Sequence, residues 1–158
     1  MPGSGKTTLG RQLAKAVQLA FVDLDSEIEK SEGKTIPNIF QEQGEAHFRT
    51  VESKALKHWA LSQDQFVLAT GGGAPCFHDG MSIIKQNGVC VFLDVPVHEI
   101  LRRIGVQEGR PLLGSSDLAE REKKLNALYD QRIACYREAH IVLENASVSD
   151  VIAAINAL

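Results

Sequence analysis

Met1-Pro2-Gly3-Ser4-Gly5-Lys6-Thr7-Thr8 opens the chain, and from its second position onward it matches the phosphate-binding pattern G-x-x-x-x-G-K-[ST]. In such a loop the glycines let consecutive backbone N–H groups, here from Gly3, Ser4 and Gly5 through Lys6, Thr7 and Thr8, converge on the β-phosphate. The Lys6 ammonium reaches the β- and γ-phosphates, and the Thr7 hydroxyl ligates Mg²⁺. A nucleoside triphosphate site is the reading, against the blander one of a Gly-rich turn before a helix. The pattern's first glycine would stand one residue before Met1, so the chain is expected to be shortened at its N-terminus. A loop of this kind normally hangs from the end of a buried strand, and that strand is expected upstream.

Working outward, Leu9, Leu13, Ala16 and Val17 share one face at helical spacing, which predicts a helix over about Lys6 to Val17 with its N-terminus toward the phosphates. Leu19 to Leu24 reads as a buried strand delivering Asp23 and Asp25 at its carboxyl end. If the strand runs on to the second carboxylate, the i, i+2 spacing sets both on one side. One would organise the Mg²⁺ shell and the other would accept a hydrogen bond or proton from an acceptor hydroxyl. N-capping of the helix that follows is the structural alternative.

That helix is expected from Ser26 to Glu32, stopped by Gly33. Thr35 is a plausible N-cap for another, ended by Gly44, and Glu45 to Leu61 continues as a longer helical pattern. Strands are predicted at Phe66–Ala69, Val89–Leu93 and Ile141–Leu143. Helices are expected around Asp79 to Gln86, Val97 to Ile104 and Asp117 to Glu138, with a last one after Ser147. Strands alternating with helices imply a parallel sheet covered on both faces, an α/β fold of three layers. Four strands are visible and the fifth is the one implied before the loop.

At 158 residues, 44% hydrophobic and 23% charged, the chain suits one domain with a proper core. No apolar run approaches a membrane span, and no signal segment is visible, so the protein is expected to stay in the cytoplasm. A net charge of −3 argues against nucleic acid as a partner. Cys76, Cys90 and Cys135 have no C-x-x-C spacing and read as reduced thiols. His47, His58, His78, His98 and His140 show no metal spacing.

Gly71-Gly72-Gly73 follows a strand directly, where bare backbone can approach a ligand and donate N–H groups. Arg49 and Arg132 could grip a small anionic substrate bidentately, although a lone helix arginine is more often solvated, and spacing alone promotes neither. Arg110 lies in the polar stretch 105–116, whose length suits a lid that closes over phosphates and excludes water.

Together, Gly-Ser-Gly-Lys-Thr-Thr, Asp23-Leu24-Asp25, Phe48-Arg49, Gly71-Gly72-Gly73, Arg110-Pro111-Leu112-Leu113 and Arg132 with Tyr136 resemble the shikimate kinases, in that family's order and across essentially the whole chain. The resemblance implies transfer of the ATP γ-phosphate to the 3-hydroxyl of shikimate, on the route to chorismate and the aromatic amino acids. It implies a single P-loop kinase domain over 1–158 with a five-stranded parallel sheet, a substrate-binding region over about 25–61, a lid over about 105–116, and a monomer. By similarity Lys6, Asp25 and Arg110 would be catalytic, with Asp25 the base and Arg110 the lid arginine that also touches ATP. Thr7 and Asp23 would serve Mg²⁺. Asp25, Arg49, Gly71, Gly72, Gly73 and Arg132 would hold shikimate. Arg102 or Arg103 would stack on adenine, Arg103 being counted with the ATP contacts. The rival expectations are another small P-loop kinase, acting on gluconate or a nucleoside monophosphate, and a non-catalytic relative that binds a ligand without turnover.

Overall fold

The computed structural model describes residues 1–104 and 118–158. Helix α1, Lys6–Ala16, starts from Gly5 in a left-handed conformation (φ 89°) with no side-chain cap. Strand β1 is Ala20–Asp23. The expected strand to Leu24 stops one residue sooner, because the Asp23 carboxylate accepts the Ser26 N–H at 3.3 Å and caps helix α2, Leu24–Glu32. Capping wins over strand extension here. Asp25 therefore sits in the first turn of a helix, and the same-side strand argument for the two aspartates does not hold. Gly33, at φ 63°, closes α2 as a left-handed cap.

Helix α3, Ile36–Ala60, begins with Thr35 accepting from the Asn38 N–H. It is broken at Gly44, whose φ of 81° and ψ of 172° lie outside helical space, so the span is two helices that meet at a kink and the expected stop at Gly44 is present. Strand β2 is Phe66–Ala69, followed after the glycine triplet by a 3-10 turn at Ala74–Cys76. Helix α4, Gly80–Asn87, leads to strand β3, Val91–Asp94, which begins two residues later than expected, beyond the half-exposed Val89. Helix α5 is Val97–Ile104 and helix α6 is Leu118–Tyr136. Strand β4, Ile141–Glu144, precedes helix α7, Val148–Asn156, which starts with a capping box between Ser147 and Asp150.

All pairing is parallel, as the alternation of strands and helices requires. It falls into two pairs, however: β1 with β2, Ala20 opposite Phe66 through Asp23 opposite Ala69, and β3 with β4, Val91 opposite Ile141 through Asp94 opposite Glu144. The four strands read from the sequence are all present among the described residues, arranged as two pairs rather than one sheet. Between the pairs runs an apolar groove of about 650 Å³, bounded by β2 and β3 and covered by Leu9 and Leu13 of α1 and Trp59 of α3. Two cores flank it. One gathers Leu24, Ile28, Ile39, Phe48 and Leu56 around α2 and α3; the other gathers Phe92, Ile100, Ile104, Leu125 and Tyr136 around α5 and α6. Met1 is only 3% exposed and belongs to the second. Among the described residues no helix is long and apolar enough to cross a membrane.

Candidate active site

The carboxyl ends of β1 and β2 bring the phosphate loop, the two aspartates and the glycine triplet together, as open parallel sheets do with their ligand sites. Within the loop, Lys6 Nζ donates to the Met1 carbonyl at 2.9 Å, and the Ser4 hydroxyl donates to the same oxygen at 3.0 Å. The Thr7 hydroxyl donates to Asp23 Oδ2 at 2.8 Å. Thr7 and Asp23 thus form a pair of hard oxygen donors at the mouth of α1, a donor set that suits Mg²⁺. Among the described residues no three His, Cys, Asp or Glu side chains converge as a metal cluster.

Arg103 Nη1 donates to the Ser4 carbonyl at 3.3 Å. Arg102 turns away: it pairs with Glu99 at 2.9 Å and its side chain is 76% exposed. Of the two arginines that sequence left open, Arg103 is the one beside the loop. Arg110, expected to be catalytic, and the expected lid lie outside the described residues.

Each glycine of the triplet faces a different candidate side chain. A Cβ on Gly71 would lie 2.7 Å from Asp25 Oδ1 and 2.8 Å from Glu52 Oε1. One on Gly72 would lie 3.5 Å from Arg132 Nη1, and one on Gly73 would lie 2.7 Å from Arg49 Cζ. Gly71 and Gly73 have no room for a side chain because Asp25, Glu52 and Arg49 crowd onto them, whereas a methyl on Gly72 would meet Arg132 in ordinary contact. Asp23 and Asp25 are consequently divided between two neighbourhoods, Asp23 at the phosphate loop and Asp25 at the glycine turn.

Arg49 is 5% exposed, far from the solvated residue that a lone helix arginine suggests. Its Nη1 donates to Glu52 at 2.7 Å and its Nη2 to Glu45 at 2.9 Å, while its guanidinium lies 4.3 Å from the Phe77 ring centroid. Glu52 is only 2% exposed. Burial pushes its carboxyl above the ordinary glutamate value, with the Arg49 guanidinium pulling the other way. Sequence reasoning passed over Glu52 and Phe77; Arg-x-x-Glu at helical i, i+3 spacing was the available signal for the former. Arg132 is 4% exposed, and its Nε is buried without a hydrogen-bond acceptor among the described residues. Such an orphaned donor costs free energy until something accepts from it. Tyr136, one turn along α6, donates its hydroxyl to the Gly72 carbonyl at 2.5 Å.

Two cationic groups, one with an orphaned donor, therefore meet a carboxylate and a glycine turn close to a phosphate loop. This arrangement can bind a small carboxylated polyol and hold a hydroxyl toward a nucleotide. Comparisons with known proteins point to one family. A family model described as shikimate kinase matches residues 2–157. The chain is 43% identical over 150 residues to a shikimate kinase of Nitrosomonas europaea, covering 94% of this chain and 69% of that one. In structure it resembles a shikimate kinase from Acinetobacter baumannii in complex with shikimate, with a TM-score of 0.91, 38% identity, and coverage of 99% of this chain and 89% of that one. It also resembles a shikimate kinase from Bacteroides thetaiotaomicron, with a TM-score of 0.85, 36% identity, and coverage of 90% and 81%.

Proposed function

The chain belongs to the shikimate kinase family, and we propose that it moves the γ-phosphate of ATP to the 3-hydroxyl of shikimate with the residues gathered around Gly71–Gly73. It is an ATP-dependent kinase acting on shikimate, a transferase of aromatic amino acid biosynthesis. The observation that carries the residue assignment is Arg132, a buried guanidinium whose Nε has no acceptor among the described residues, placed beside the glycine turn.

In this reading the shikimate carboxylate takes the free donor of Arg132 and a share of Arg49, whose fork is already oriented by Glu45 and Glu52. The bare Gly71–Gly73 backbone lets the ring approach. Asp25, facing Gly71, accepts the hydrogen bond or proton of the attacking hydroxyl. Lys6 exchanges its Met1 carbonyl contact for the β- and γ-phosphates, and the N–H groups at the start of α1 take the remaining phosphate oxygens. Arg103 is the ATP contact beside the loop, and Arg110 is read as the lid arginine on sequence alone. Mg²⁺ would be held by Thr7 directly and Asp23 through its shell, and when bound it neutralises charge on the transferring phosphoryl group. Positioning and charge neutralisation suffice for phosphoryl transfer, so no covalent nucleophile is called for. The Cys76 thiol near the site fits that view, since burial pushes it up to about 12 and keeps it protonated. The protein is read as a cytoplasmic monomer, with neither nucleic acid nor membrane as a partner.

Asp25→Asn tests the assignment. Formation of shikimate 3-phosphate should fall by about a hundredfold or more, the range of a lost general base, while ADP affinity measured by calorimetry stays nearly intact. Near-normal turnover would remove Asp25 from the catalytic residues.

A further inference from the structure

Gly72 stands between the phosphate loop and the candidate shikimate pocket. A Cβ on it would lie 3.6 Å from both Pro2 Cδ and Pro2 N, and 3.5 Å from Arg132 Nη1. The Gly72 carbonyl is held from a third side by the Tyr136 hydroxyl at 2.5 Å. Tyr136 is only 4% exposed and its ring packs on Phe92 with centroids 5.0 Å apart. One residue earlier on the same helix, Cys135 Sγ reaches the Pro75 carbonyl at 3.3 Å. Helix α6 thus grips the segment 72–75 twice with adjacent residues, and one turn back it presents Arg132 to the pocket. Burial pushes the Tyr136 hydroxyl up to about 12, which leaves it a neutral donor at working pH.

We propose that Tyr136 is a positioning residue whose hydrogen bond to the Gly72 carbonyl couples occupancy of the phosphate loop to occupancy of the Arg132 pocket. A run of three glycines is soft in φ and ψ and would absorb a small shift of the loop. Tied to α6 at its central carbonyl, the turn passes a displacement at Pro2 on to Arg132 instead. The coupling is reciprocal, so each ligand tightens the other by the same factor. The proposal rests on the shikimate reading above.

Isothermal titration calorimetry of shikimate, with and without saturating ADP and magnesium, tests it on the native chain and on Tyr136→Phe, Phe92→Leu and Gly72→Ala. In the native chain ADP tightens shikimate binding. Tyr136→Phe keeps the ring and loses only the donor; it should shrink that tightening by about fivefold, the equivalent of one neutral hydrogen bond, or abolish a smaller one. Phe92→Leu, which loosens the packing but leaves the hydroxyl, should lower the melting temperature and keep the tightening. Gly72→Ala places a methyl in ordinary contact with both Pro2 and Arg132; it should alter the tightening, and it decides the matter if Tyr136→Phe does not fold. No tightening in the native chain, an unchanged factor in Tyr136→Phe, or an equal loss in Phe92→Leu would overturn the proposal. A native chain that binds ADP and not shikimate would overturn it together with the shikimate reading, whereas binding of both ligands with unaltered coupling in Tyr136→Phe would overturn it alone.

Discussion

Glu52 is the buried carboxylate on which Arg49 depends, 2.7 Å from its Nη1. Because burial raises its value above the ordinary 4.5, Glu52 takes up a proton earlier than an exposed glutamate as the pH falls. Protonation leaves Arg49 without its buried partner and misaims the fork. The acid limb of kcat/KM for shikimate should therefore contain a step above pH 4.5 that is missing in Glu52→Gln; a pH profile of the two proteins checks this, and identical acid limbs would contradict it. The sign for stability follows the same shift. The folded state holds this proton more tightly than the unfolded one, so the group favours folding most when protonated, and its cost grows from pH 4.5 up to the folded value and is constant above it. At this scale the phosphate loop was legible because its chemistry is local and contiguous. Arg49 and Arg132 were not legible from spacing, since burial is a tertiary property and a solvated helix arginine has the same sequence; only their place in the resemblance to a family singled them out. Glu52 was missed because helical i, i+3 charge pairs are common on surfaces.

The glycine turn after β2 shows how an element can be shaped by what surrounds it. Gly73 cannot carry a side chain without displacing the Arg49 guanidinium, since a Cβ there would lie 2.7 Å from Arg49 Cζ. Gly73→Ala should raise KM for shikimate by about tenfold, the scale of one weakened charged hydrogen bond, with ADP affinity within about twofold of native. Steady-state kinetics and calorimetry check it, and an unchanged KM would mean that the triplet is bare for a reason other than Arg49. Periodicity found every described helix and strand to within a few residues, because apolar spacing and caps such as Thr35 and Gly33 are local signals. It misplaced the end of β1, where Leu24, expected in the strand, opens the next helix under the Asp23 cap instead. The 3-10 turn at Ala74–Cys76 was not legible, being a product of how the glycine turn meets α4 and α6.

Across the whole molecule, the two parallel strand pairs and their two cores meet along one apolar groove. Each pair presents an inner edge to it, β2 on one side and β3 on the other, and such edges favour a further parallel strand. The buried Met1 lines the same groove. Extending the N-terminus by a short β-forming apolar segment that ends in glycine should raise the melting temperature by about 5 °C or more, the equivalent of one to two kcal/mol at this chain length. Shikimate-dependent turnover should rise with it. Equal melting temperatures and equal turnover in the two chains would show that the groove needs no strand. The fold class was legible because strand–helix alternation determines it, whereas the split of the sheet into two pairs was not, since pairing partners are set by contacts distant in sequence. The central claim is that this chain transfers phosphate to shikimate, and it is tested most directly by ADP release from ATP and magnesium in a coupled spectrophotometric assay, with and without shikimate. ADP that appears only with shikimate is the predicted result; ADP release indifferent to shikimate, or none from soluble and folded protein, would contradict it.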